Sequence, residues 1–280
     1  MNKLLVPLAV VTLATSLITF GNGAAQAADV MCGDTIITDT KLHADINCFV
    51  APGSDGIMIG AHGVTLNLNG FTIAGDPSFE ASGVFNAGWD KVTIKNGAIS
   101  GFQDGIRADD VTDLDIKDLT FADQRLSSIV VINSADVSIK RTSISQPPGG
   151  GGGFAEAIRF FHVYDAKVVD TTVDGGVFGL LSLGDPAVAT ELVIKDNDIT
   201  NTTDGIFLLN TTDSRIVRNR VYENGSVGIS LADDSIGNKI RKNTVTGNGA
   251  FDLAHDEGSS PNKWAKNTCG TSDGSDIDCP

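Results

Sequence analysis

Little in this sequence invites a membrane, a soft metal or a nucleic acid. Past the first 27 residues no segment approaches the ~20 consecutive apolar residues that a spanning helix needs, so a membrane-embedded body is not expected. Bases are scarce: 20 Lys and Arg stand against 35 Asp and Glu, a formal charge of −15. Nucleic-acid binding relies on clustered cations that neutralise phosphates, and this balance argues against it. Met31, Met58 and the four histidines (His43, His62, His162, His255) are scattered, which disfavours direct copper binding by soft ligands. Neither Cys-x-x-Cys nor a histidine beside a cysteine occurs, so a zinc site lacks its ligands. The run Gly149–Gly153 is not followed by the Lys and Ser/Thr that complete a phosphate-binding loop. No window carries the apolar stripe of an amphipathic helix.

What is present begins with an export signature. Lys3 precedes the mostly apolar run Leu4 to Phe20, and Ala25-Gln26-Ala27 is a small-x-small cleavage pattern. Residues 1–27 are therefore expected to be a signal peptide and the mature chain secreted or periplasmic. Its removal takes one base, leaving 19 against 35 acids, or −16. The four cysteines lie in two local pairs, one near each end of the mature chain. In an oxidising compartment they are expected to form Cys32–Cys48 and Cys269–Cys279, each closing a terminal loop.

Between those pairs a short motif recurs: a small residue, alternating apolar positions, a polar turn and a second short apolar strand. It starts at Gly56, Gly83, Gly105, Ser128, Ala157, Gly179, Gly205, Gly228 and Ala250, at intervals of 22 to 29 residues. Strands of three to five residues, rich in Val, Ile and Thr and bounded by Gly, Asn and Asp, have the period-two pattern of half-buried β-structure. One unit offers a single apolar face that only a stacked neighbour can cover. The expectation is an all-β fold: one right-handed parallel β-helix of about nine three-strand coils with disulfide-closed ends. Residues 28–54 would be an N-terminal cap, 55–250 the β-helix, and 251–280 the last coil and C-terminal cap. Asn197, Asn219, Asn243 and Asn267 recur at one place in the last four units, with Asn96 nearby in an earlier one; stacked amides there would form a ladder.

The coil pattern, the asparagine turn and the Gly-Ile strand starts resemble the right-handed β-helix proteins of the pectin-lyase-like superfamily over roughly residues 50–270. They also resemble NosD-type repeats. The resemblance implies a protein that binds or processes extracellular polysaccharide, acidic substrates included, with lyase or hydrolase chemistry where it is an enzyme. The alternatives it leaves open are a non-catalytic surface or interaction β-helix and a NosD-type periplasmic accessory. The Asp-Pro-His motif of the related alginate epimerases is absent.

Two excursions interrupt the register, at Gln146 to Gly153 and at Gly184 to Thr190. Alternation sorts the first strand of each coil into faces, and the outward row reads Met58, Phe85, Arg107, Val130, Arg159, Leu181, Phe207, Ser230 and Asp252. With Ile132, Phe161, Leu183 and Leu209 beside it, the middle of this wall forms an apolar patch. Such a patch is either covered by the glycine-rich loop or offered to a protein partner or a sugar. Members of the superfamily that act on acidic polysaccharides pair carboxylates, or combine a calcium-bound carboxylate cluster with a base. The matching neighbourhood holds Asp104, Arg107, Asp109 and Asp110 from one coil and Arg159, His162 and Asp165 from two coils on. Arg159, His162 and Asp109 are the candidate catalytic residues, and Arg107, Phe207 and Asp165 the candidate substrate contacts. Asp109 and Asp110 are the candidate ligands of a possible calcium ion. His255-Asp256-Glu257 is a second cluster, expected to be a solvated turn of the cap.

Overall fold

The computed structural model describes residues 30–50, 54–148, 155–184, 191–277 and 279. The expected signal peptide, the Gly149–Phe154 stretch and residues 185–190 lie outside the described residues. The chain winds as a right-handed solenoid of about nine coils, with three walls of parallel strands. The first wall is an eleven-stranded sheet whose neighbours are successive coils, from Asp34–Ile36 through Ser82–Ala87, Asp104–Asp109, Ser127–Ile132, Glu156–Phe161, Phe178–Leu183 and Asp204–Leu209 to Ser272–Asp273. The second and third walls follow in each coil, as in Lys167–Val169 and Thr172–Gly176. In two coils they are one continuous strand, Thr93–Ser100 and Thr112–Ala122, which carries the sheet around the bend. No helix among the described residues is long and apolar enough to cross a membrane.

The inward positions stack like on like. Val84, Ile106, Ile129, Ile158, Leu180, Ile206, Ile229 and Leu253 are register partners along the first wall, and all are at most 1 % exposed. Each coil thus buries its apolar row only against the coils above and below, as a solenoid requires. The small residue at each strand start is explained at Gly205. A Cβ there would lie 2.4 Å from Val221 Cγ1 and 2.5 Å from the Gly228 carbonyl oxygen, because the backbone turns inward at that corner.

Inner corners are filled by polar ladders. Asn219 Oδ1 accepts from the backbone N–H and the side-chain amide of Asn197, while its Nδ2 donates to Ile194 O and to Asn243 Oδ1. Asn243 and Asn267 continue the pattern, and Thr171 and Thr142 occupy the same place in earlier coils. The ladder is as expected, except that Asn96 is not part of it. Asn96 stands one residue earlier, in an outer turn with φ 62°, and bonds Asn67. A second ladder, which the repeat did not disclose, runs Thr202–Asn224–Asn248 at the corner entering the first wall.

The ends are closed as expected by the disulfides Cys32–Cys48 and Cys269–Cys279. One register differs from the expected one. Val227 pairs with Phe251 and Ile229 with Leu253, so the last repeat begins at Asp252 rather than Ala250. The coil is 24 residues long, and Asp252 leaves the outward row, where Ala254 follows Ser230. Asp252 is 3 % exposed. Its carboxylate accepts the N–H groups of Gly270 and Thr271 and the amide of Asn248, which terminates the second ladder and ties down the final coil.

Candidate functional site

The outer face of the first wall presents three rows running along the solenoid axis. At the corner where each strand begins the row reads Ser82, Asp104, Ser127, Glu156, Phe178 and Asp204, with Asp55 one coil earlier. The central row is Phe85, Arg107, Val130, Arg159, Leu181 and Phe207. The third is Ala87, Asp109, Ile132, Phe161, Leu183 and Leu209. Coils repeat at ~4.8 Å, so register partners two coils apart are roughly 10 Å apart along the axis.

The corner row concentrates the chemistry. Asp104 is 5 % exposed, Ser127 2 % and Glu156 4 %. Asp104 Oδ1 accepts the Ser127 N–H at 3.2 Å, and Ser127 donates its hydroxyl to Glu156 Oε2 at 2.9 Å, so one serine joins two carboxyls of alternate coils. Burial pushes the carboxyl of Asp104 above the usual carboxylate range, against the pull of Gln103, Arg107 and the Ser127 N–H. Burial likewise raises that of Glu156, opposed by the Ser127 hydroxyl and by Arg159, whose Nη1 is 3.7 Å from Oε1. Raised proton affinity at this depth suits a carboxyl to proton donation at an outer wall. A cleft of about 290 Å³ opens beside Asp104, lined by Asp55, Glu80, Ser82, Phe85 and Arg107.

The structure brings some of the sequence-derived residues together and separates others. Arg107 and Arg159 stand in one row with Val130 between them, each beside a buried acid. Asp109 is held by Arg107 Nε at 2.9 Å, and its second oxygen is buried without a partner. Asp110 stands in the turn beyond it with φ 56°. Among the described residues no three His, Cys, Asp or Glu side chains gather as a metal site. His162 is also in that turn, two coils up, with φ 53°; its Nδ1 lies 3.1 Å from Asn133 Oδ1 and its ring is on Phe161. Asp165 is in the next bend, paired with Lys167 at the start of the second wall, away from the two arginines. Phe207 is half-buried against Phe178, their centroids 5.7 Å apart. Val130 and Leu181 are buried although they belong to the outer row, and Ile132, Phe161, Leu183 and Leu209 are half-buried. In the cap, His255 engages the Asp276 carboxylate and stacks on Trp264, so it is a cap contact rather than a free turn residue.

Glu156 escaped the sequence reading. Its signal was its place before Ala157-Ile158, the same as that of Asp104 before Gly105-Ile106; an unaligned Phe-Ala-Glu after a glycine run hides that equivalence.

A family model described as a right-handed β-helix region matches residues 82–269. Comparison with curated protein sequences finds no match. Among solved structures, the periplasmic alginate epimerase AlgG superposes with a TM-score of 0.63 at 11% identity, covering 86% of this chain and 70% of that one. A polygalacturonase from Erwinia carotovora ssp. carotovora gives 0.55 at 9% identity, covering 93% and 99%. At such identity the likeness is one of fold.

Proposed function

The chain belongs to the right-handed β-helix family, and from that premise we propose that it is an exported protein that binds and processes a polysaccharide along its first wall. The observation that carries this reading is the Asp104–Ser127–Glu156 row, two buried carboxyls with raised proton affinity beside Arg107 and Arg159. Glycosidic chemistry needs one carboxyl that donates a proton to the leaving oxygen and a second that acts as base or nucleophile. Two coils of separation approach the ~6.5–9.5 Å spacing that leaves room for a water between such a pair. Arg107 and Arg159, half-exposed in the next row, would hold the carboxylates of a uronate chain in forked geometry. Two disulfides accord with an oxidising compartment outside the cytoplasm.

Purified protein is to be incubated with polygalacturonate, alginate and neutral glycans, with and without calcium, while new reducing ends and unsaturated products are followed. Turnover that Glu156→Gln and Arg159→Ala abolish without loss of fold supports the reading. Glycan binding without turnover favours a non-catalytic carbohydrate-binding protein. Neither binding nor turnover on any acidic glycan refutes both.

A further inference from the structure

The chain carries a strong excess of acid, yet ten of its 20 lysines and arginines lie on strands of the second wall. The second wall ends in three coils where four of the six outward strand side chains are cationic. Arg215, Lys239 and Lys263 are register partners in one row. Arg241 stands between Val217 and Ala265 in the next. The closing turns add Arg218, Lys242 and Lys266 in a third, with Arg218 held by Asp196. All seven cations are exposed. Except for Arg218 they have no side-chain hydrogen bond or ion pair with any described residue.

Two costs are built into this grid. Like charges on adjacent strands repel, and coils at ~4.8 Å stack them directly. The turn positions are left-handed, with φ of 56°, 57° and 58° at Arg218, Lys242 and Lys266, where earlier coils place Asn96, Asp118, Asp170 and Asp196 and one cation, Arg141, paired with Asp118. Asn and Asp tolerate that conformation best. The final coils therefore carry cations where a short polar residue would suit the backbone better, and on a wall where they repel.

The geometry points to a docking surface for a linear anionic polysaccharide, laid along the axis over the last three coils of the second wall. One cation per coil in parallel rows suits a polymer with one carboxylate or sulfate per sugar ring, which repeats at a comparable distance. The outward neutral side chains of this grid, Val217 and Ala265, are too small to insert into a bilayer, which argues against a lipid surface. This surface is separate from the Asp104–Glu156 row and does not depend on its chemistry. It would hold the polymer to the molecule whether or not the first wall turns it over.

The test measures binding of fluorescent polygalacturonate to the full exported chain, to the triple variant Arg215→Ala/Lys239→Ala/Lys263→Ala, and to Arg107→Ala/Arg159→Ala. All the replaced residues are solvent-exposed or half-exposed, and unchanged melting confirms the fold. Each exposed charge contact is worth only a few-fold, so losing three is expected to weaken binding by about tenfold. Wild-type binding is expected to fall steeply with added salt, and the first-wall double variant to keep most of it. Equal affinity of the triple variant and the wild type overturns the proposal. So does tighter binding to anionic phospholipid vesicles or to duplex DNA than to polygalacturonate. Absence of turnover with this binding intact sinks the first-wall reading alone.

Discussion

Replacing Asn219 with alanine probes the inner ladder at its centre. The side chain is 2 % exposed and makes four hydrogen bonds, two as acceptor and two as donor. Its removal leaves the Asn197 N–H without its acceptor, while the Asn197 amide keeps Val168 O and the Asn243 oxygen keeps the backbone N–H of residue 219. An orphaned buried N–H costs about 1–3 kcal/mol, and each further hydrogen bond lost about 0.5–1.5 kcal/mol. The total comes to roughly 2.5–7.5 kcal/mol, or a fall in Tm of roughly 5–30 °C at about 2–4 °C per kcal/mol for a chain of this size. Chemical denaturation followed by far-UV circular dichroism measures the loss, with exposed Thr244→Ala as the reference. Amide exchange at Asn197 locates it, since a solenoid transmits damage mainly to adjacent coils. Asn219→Asp sharpens the test: an ionised carboxylate cannot donate to Ile194 O, so that variant is expected to recover stability on acidification. A cost for Asn219→Ala within 1 kcal/mol of Thr244→Ala would refute the ladder as a source of stability.

The raised proton affinities of Asp104 and Glu156 predict a sign for pH dependence. The folded chain binds more protons than the unfolded one, so their contribution is full below the unfolded pKa and is lost as pH rises through the folded values. Asp104→Asn/Glu156→Gln is expected to flatten the decline of unfolding free energy above about pH 4, and an unchanged slope would count against raised proton affinity at these carboxyls. Gly205→Ala forces its Cβ against Val221 and the Gly228 carbonyl and is expected to cost about 1–3 kcal/mol or more. Gly225→Ala, whose nearest neighbour is 3.7 Å away, is expected to be nearly neutral, and thermal melts of the pair compare them. Asp252→Ala removes the acceptor of two backbone N–H groups and is expected to fray the final coil, read as faster amide exchange at Gly270 and Thr271.

Repetition made most of the fold readable before any coordinates. Gly56, Gly83, Gly105, Gly205 and Gly228 mark strand starts because a Cβ there collides with the next coil, so the constraint is local and recurs in every unit. The recurring asparagines were visible for the same reason. The last register was misread because Ala250 mimics the small residue of the motif, while the true equivalent is Asp252, whose carboxylate has a capping duty that only the final coil defines. Arg107 and Arg159 were found by alternation within strands. The partnership of Glu156 with Asp104 was not, since it depends on a register carried across the 29-residue coil that contains Gly149–Gly153.

By itself the sequence determined a stack of parallel coils, the placing of two cysteines near each end and the acidity of the whole, because each follows from short-range periodicity or plain counting. Only the tertiary structure decided which acids are buried together and which bases stand together. Asp104 and Glu156 are 52 positions apart in the chain and meet through Ser127, and Arg215, Lys239 and Lys263 become one row only when three coils stack. In a solenoid, neighbours along the axis are remote in the sequence, and coil length sets who they are.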